Sequence, residues 1–486
     1  MSKDVQELRA GILAIDRAAS HRATKPPDPS EIYTPSHHVS ALDPDNSLVV
    51  GIRGVGKSFW ASALGDDAAR SVASTAYPKL ALNTYSVGFG FTGFEGDDAP
   101  SPETVRQYGT DTDTAKLFWR VVVLRAFANA AKIRMPQTYR DLMAEFSDSE
   151  KREAIMRKAD AYFERGRKRF LLVFDALDTL STNWANLRLL TRALLEVTYG
   201  MRSYRSLRLK LFLRPEQLDD PAVGFTDLSK LKAGKIDLSW DNVDLYGLFF
   251  TRLANENASR AAFKRLAQQQ QIELKVKGDR AYLPVSLTRD PNIQQKAFIQ
   301  LAGRYMGSDH RKGKTFTWLP AHLADGFRMV TPRSFLTSLR EAASKSEAAE
   351  DRVLTIEGIK EGLRAASRVR VDQLKEEYQW IELALLPLAG LRVPCSEAEI
   401  IEPWINKRTV SAIDREAGQE GYLGPSEMPS FDPTDQARAK VRELGLLNTL
   451  LKIGVLERRS DERINMPDIF RIGASLIGRG RITPEK

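Results

Sequence analysis

From Leu48 onward the chain alternates short apolar runs with longer stretches of helical spacing. The runs fall at residues 48–50, 80–82, 170–174 and 209–213. Runs of this length without polar alternation are the pattern of strands buried on both faces. Their alternation with helices requires crossover connections, so the pattern predicts a parallel sheet. Residues 114–131 form an apolar-rich helix and residues 149–166 a charged one that leads into the third run. Residues 88–112 are rich in Gly, Asp and Pro and read as a long loop. Beyond Trp240 the strand signals fade, and residues 243–257, 258–271, 294–305 and 332–344 read as helices of a lid. After about residue 355 come helices at 356–363, 371–386 and 434–453. They end in a ribbon pattern: Val455 to Arg459, a polar turn at Ser460, Asp461 and Glu462, then Arg463 to Met466. A helix set closed by a two-stranded ribbon is the pattern of a winged helix.

The expected organisation is an irregular arm over 1–45, an α/β P-loop core over 46–240, a helical lid over 241–350 and a mostly helical, winged-helix-like domain over 351–486. The arm rests on five prolines between Thr24 and Asp45. A length of 486 residues suits several domains, and 42% hydrophobic with 28% charged residues indicates a globular chain. No stretch approaches the ~20 apolar residues of a membrane span, and the polar start MSKDVQEL lacks the form of a signal peptide. A cytoplasmic protein without membrane contact is therefore expected. The single cysteine, Cys395, excludes an internal disulfide and reads as a bystander. His21, His37, His38, His310 and His322 lack partners at ligand spacing, so no zinc site is expected. A net charge of +9 favours polyanions without choosing among them.

The chemistry starts at Gly51-Ile52-Arg53-Gly54-Val55-Gly56-Lys57-Ser58, directly after one apolar run and directly before a helical stretch that begins with Phe59. The glycines let successive backbone N–H groups turn toward phosphate oxygens, Lys57 reaches the β and γ phosphates, and Ser58 offers a hydroxyl to Mg²⁺. The helix that opens there adds its positive dipole end. ATP with Mg²⁺ is the expected ligand pair. The apolar run 170–174 ends in Asp175, where a carboxylate holds the Mg²⁺-bound water, with Asp178 one turn on to orient or deprotonate the attacking water. The expected metal-holding groups are thus Ser58 and Asp175.

Residues 174–178 (FDALD) resemble the Walker B element of the STAND and NACHT group of AAA+-related switch ATPases, in which a second aspartate follows the first by three residues. Ring-forming AAA+ proteins usually carry a glutamate right after the first acid, where this chain has Ala176; Thr179 stands where NACHT proteins often continue with an acid. The resemblance implies slow hydrolysis. It also gives two arginines a role. Arg214, at the end of the run 209–213, resembles the sensor position after Walker B and would meet the γ phosphate or a neighbouring subunit. Arg333, in Thr331-Pro332-Arg333, resembles the sensor-2 arginine at a lid helix start. By resemblance the chain is an oligomeric switch ATPase that controls a separate effector protein in antiphage defence. The alternative is an AAA+ initiator or transposition regulator that holds double-stranded DNA on its winged helix, for which Arg458, Arg459, Arg463, Arg471, Arg479 and Arg481 supply local positive charge.

Overall fold

The computed structural model describes residues 3–15, 25–346, 351–434 and 441–478. Their contacts divide the chain into two compact units, one of residues 20–238 and one of residues 1–19 with 239–486. His21, Arg479, Arg481 and part of the expected helix 434–453 lie outside the described residues.

The first unit holds a five-stranded sheet of β1 (Leu48–Val50), β2 (Tyr85–Phe91), β3 (Arg169–Phe174), β4 (Leu207–Leu213) and β5 (Lys235–Asp237). The spatial order is β2-β3-β4-β1-β5 and every pairing is parallel. The expected sheet is therefore present, with two changes of strand. The run 80–82 lies in short turns, and the second strand comes later, at Tyr85–Phe91, running into the start of the loop expected over 88–112. Gly88 and Gly90 belong to that strand because rings from β3 cover them. A Cβ on Gly88 would stand 2.8 Å from Phe170 Cζ, and one on Gly90 2.3 Å from Phe174 Cζ. The rest of the expected loop includes a further helix, Pro102–Gln107. The second change is β5, a polar edge strand without an apolar run to announce it. The apolar helix spans Thr112–Ala130 and the charged one Ser149–Arg165, both close to expectation. They pack with Trp184–Gly200 and the inner strands in one core that includes Phe118, Trp119, Phe127, Phe170, Leu172 and Phe174.

A buried lysine ties the proline-rich segment to this sheet. Lys210 in β4 is fully buried, and its Nζ donates to the carbonyls of Ala41 at 2.9 Å, Asp43 at 2.9 Å and Asn46 at 2.7 Å. Three acceptors match the three protons of an ammonium. Burial still pulls Lys210 down to about 7, against the pull of Asp43 and Asp45. Trp60 Nε1 donates to His38 Nδ1 at 3.0 Å and Tyr77 OH to the Pro35 carbonyl at 2.5 Å, so the segment before β1 is pinned at three places.

In the second unit, the expected irregular arm is corrected at its start. Lys3–Ala14 is a helix that packs on Arg260–Gln269 and Pro332–Ser344. Its Asp4 and Glu7 bind Arg265, at 2.5 and 2.7 Å. The expected lid helices appear as Asn242–Asn255, Arg260–Gln269, Pro291–Ala302 and Pro332–Ser344, joined by Thr315–Leu323 and a small hairpin of Lys275–Lys277 with Arg280–Tyr282. The helices expected at 356–363 and 371–386 are instead one long helix, Ile356–Glu377, followed by the short Ile381–Leu385. The long helix packs on Pro332–Ser344 and on Asp468–Arg471, so one apolar core runs from the lid helices into the C-terminal module.

That module has the winged-helix order. After Ile381–Leu385 comes a strand segment at Arg392–Cys395, then helices Glu397–Lys407, Thr409–Glu420 and Arg442–Lys452, then Glu457–Arg458 paired antiparallel with Ile464–Asn465. Cys395 bridges Ile464, which brings the first strand segment against the hairpin. The hairpin falls where the ribbon was expected. Cys395 is buried, and burial raises its thiol to about 11, which suits a packed, unreactive side chain.

Candidate functional site

The site forms where β1, β3 and β4 end, within the first unit. Gly51 N donates to the Leu213 carbonyl at 3.1 Å, so β1 stays paired with β4 up to the loop. Beyond it the chain turns through Gly54 at φ 81° and Gly56 at φ 107°, backbone that suits glycine. Gly51 is held by packing, since a Cβ there would stand 2.6 Å from Val55 Cγ1. Gly56 is the N-cap of the helix Lys57–Gly65, so the first N–H groups of that helix face the loop. Phe59 stands edge-on to Trp60, with ring centres 5.2 Å apart.

Lys57 folds over this loop. Its Nζ donates to the carbonyl of Gly51 and, at 3.2 Å, to that of Ile52. Enclosure of the ammonium lowers the Lys57 pKa first, the Arg214 cation lowers it further, and Asp175, Asp178 and Glu216 pull it back. The carboxylates and cations thus meet in one small volume. Asp175 is buried, and its backbone N donates to the Phe91 carbonyl at 2.9 Å. The Ser58 side chain lies beside its carboxyl, close enough to lower its pKa. Burial raises the Asp175 carboxyl above its usual range, more than the bonds from Ser58 and Ala176 and the charge of Lys57 lower it. A carboxylate that is costly to ionise is one that gains from a cation.

Just after Asp175 the chain takes a left-handed step at Ala176, φ 55°, and turns through Leu177–Thr179. The turn presents Asp178 sideways to β4. Arg214 Nη2 donates to Asp178 Oδ2, and Arg214 Nη1 stands 3.7 Å from Glu216 Oε1. The Arg214 and Glu216 side chains are 10% and 12% exposed, against 33% for Asp178, so the guanidinium is enclosed between two acids with one of them open to solvent. Gln217 holds the strand end by accepting from Arg214 N at 3.0 Å.

The structure therefore brings together Gly51 through Phe59, Asp175, Asp178 and Arg214. Arg333 belongs to the other unit, as the second residue of Pro332–Ser344, where Thr331 caps the helix through a bond from Ser334 N at 3.1 Å. Glu216, which the sequence offers as the next water-activating candidate after Asp178, and Gln217, which it does not single out, join the site from the short helix after β4. The signal for them was the proline after Arg214, since Pro215 opens a short helix, Pro215–Asp219, that turns both side chains back.

The residues fit Mg²⁺. Ser58 and Asp175 offer adjacent hard oxygens, and the positive-φ glycines ahead of them leave the backbone bare of Cβ atoms where phosphates would lie. Among the described residues no helix is long and apolar enough to cross a membrane.

No protein-family model matches the chain, and no curated protein matches it. Among solved structures the chain is similar to Cdc6p from Pyrobaculum aerophilum, at 12% identity and TM-score 0.30, covering 91% of this chain and 94% of that one. It is similar to the Aeropyrum pernix ORC2 protein in its ADPNP–ADP complexes, at 12% identity and TM-score 0.38, covering 87% and 84%. A third likeness is the Aeropyrum pernix ORC1 protein in complex with DNA, at 14% identity and TM-score 0.31, covering 94% and 92%.

Proposed function

We propose that the chain is an AAA+-related ATPase that binds ATP with Mg²⁺ in the loop 51–58 and hydrolyses it slowly. The observation that carries this reading is the convergence, at the carboxyl ends of three adjacent parallel strands, of the Lys57 ammonium, the Ser58–Asp175 pair and the Arg214–Asp178 pair. Phosphates would be taken up by the loop N–H groups and Lys57, with Ser58 and Asp175 holding Mg²⁺, which shields charge on the β and γ oxygens when bound. In hydrolysis a water oxygen bonds to the γ phosphorus, the bond from that phosphorus to the bridging oxygen breaks, and ADP leaves. Asp178 orients the water and receives its proton. The absence of a second acid beside Asp175, where Ala176 stands, fits a low rate. Phosphate release from Mg-ATP tests the reading, with the Lys57 and Asp178 variants as controls.

For the output of this ATPase we favour duplex DNA. The support is the strand-closed winged helix, whose hairpin turn exposes Arg458 and Arg459, with Lys407 and Arg408 exposed between its helices. Such a surface meets phosphates without reading bases. Anisotropy of a labelled duplex across a salt series checks it, as does phosphate release with and without DNA. The second reading, control of a separate effector by an oligomeric switch, is favoured by a different observation. Arg458 is paired with Glu397 at 2.7 Å, Arg463 with Asp461 at 2.6 Å, and Arg442 with Asp414, so much of the positive charge is already answered by acids. Its STAND, NACHT and antiphage setting has the spacing of Asp175 and Asp178 as support. A role for Arg333 in reporting nucleotide state has its place at a helix start as support.

A further inference from the structure

The Arg214 guanidinium has as a partner a group that is itself proposed as catalytic. Nη2 donates to Asp178, Nη1 stands 3.7 Å from Glu216, and the side chain is 10% exposed, so the cation is held and enclosed. Arg214 directly follows β4, which stays paired with β1 up to the loop 51–58. An anion bound by that loop competes with Asp178 for the guanidinium. A γ phosphate, with its spread negative charge, is the stronger acceptor for a planar donor.

We infer that the Arg214–Asp178 pair is a latch that the γ phosphate of ATP opens. The inference rests on the nucleotide-binding reading above. In the closed latch Asp178 is engaged by Arg214 and is poorly placed to take a proton from water; when Arg214 turns to the γ phosphate, the Asp178 carboxylate is released to do so. ADP lacks the phosphate that draws the arginine away, so it leaves the latch shut. Glu216, on the other side of the guanidinium, keeps Arg214 from leaving the site altogether while it changes partner. The arrangement links acquisition of a triphosphate to arming of the water-activating acid with a single side-chain exchange.

The latch costs ATP binding some free energy, because a charge pair must be broken, and this gives the test its sign. Removing the negative charge with Asp178→Asn makes Arg214 available in advance. Equilibrium titrations of the full chain with a non-hydrolysable ATP analogue and with ADP, both with Mg²⁺, are compared for the parent, Asp178→Asn, Arg214→Gln and the double variant. The Asp178→Asn variant is expected to raise the preference for the ATP analogue over ADP by about 2- to 5-fold, the scale of a partly exposed ion pair. Arg214→Gln lowers the preference, and in its background Asp178→Asn changes it no further. Glu216→Gln, which loosens the weaker contact, moves it in the same direction as Asp178→Asn but less. The latch is refuted if Asp178→Asn leaves the preference unchanged or lowers it, or if its effect is the same with and without Arg214. A parent that binds neither nucleotide would instead overturn the nucleotide reading itself, and thermal unfolding of each variant identifies any loss that is only misfolding.

Discussion

Replacing Lys57 by Met keeps the length of the side chain and removes its charge, which isolates the cation's part in binding. In the structure the ammonium donates to the carbonyls of Gly51 and Ile52. Phosphate oxygens carry negative charge and the two carbonyls do not, so each bond that the ammonium exchanges gains about 0.5–1.5 kcal/mol. For two bonds the gain is about 1–3 kcal/mol, so Lys57→Met should weaken Mg-ATP roughly 5- to 150-fold. The stability effect has the opposite sign from an ordinary core deletion. Enclosure and Arg214 hold the Lys57 pKa below its usual value, so the charged form is disfavoured in the fold relative to the unfolded chain. The variant should therefore unfold at the parent's temperature or above it. Calorimetric titration with Mg-ATP, paired with thermal unfolding, reads both numbers. A folded variant with parental affinity would show that the loop is not a triphosphate cradle, and a clear fall in melting temperature would make Lys57 a structural clamp on Gly51 and Ile52.

Asp175→Asn should weaken the contribution of Mg²⁺ to ATP affinity by about 10-fold or more, the scale for groups that orient a metal shell. Because burial raises the Asp175 pKa, the fold is favoured while the group is protonated and loses that advantage as pH rises through the raised value; the variant should remove this fall and melt higher at neutral pH. Gly90→Ala places a methyl 2.3 Å from Phe174 Cζ, and overpacking of this kind costs about 1–3 kcal/mol, read by chemical denaturation as a lower midpoint with an unchanged slope. Arg333→Ala should bind ADP as the parent does and lose part of its preference for ATP; an unchanged preference assigns the residue to the helix surface alone. Arg458→Ala with Arg459→Ala should reduce the slope of log affinity for duplex DNA against log salt by about 2 if both meet phosphates, and an unchanged slope favours the effector reading.

The turn of the loop 51–58 was legible in its glycine spacing, and Gly54 and Gly56 take the positive φ that such a turn requires. The place of Asp175 was legible as the residue that ends a fully apolar strand run. Local pattern failed where tertiary packing overrode it. Gly88 and Gly90 look like loop residues, yet Phe170 and Phe174 of the neighbouring strand leave room for nothing larger. Lys210 looks out of place in a central strand until the three carbonyls before β1 are brought to it. The polar β5 is stabilised by β1 rather than by its own side chains. In the C-terminal module, Pro403 inside one helix and Arg408 at φ 50° between two hide a helix pair from any periodic pattern. The Arg214–Asp178 contact spans two strands and depends on the left-handed step at Ala176, which no spacing rule foretells.

The most direct test of the account is a crystal structure of the full chain with a non-hydrolysable ATP analogue and Mg²⁺. The β and γ phosphates are expected within the loop 51–58, with Lys57 moved from the Gly51 and Ile52 carbonyls onto phosphate oxygens and the metal beside Ser58 and Asp175. Arg214 is expected to turn from Asp178 to the γ phosphate. A triphosphate bound elsewhere, or a metal held without Ser58 and Asp175, would contradict it.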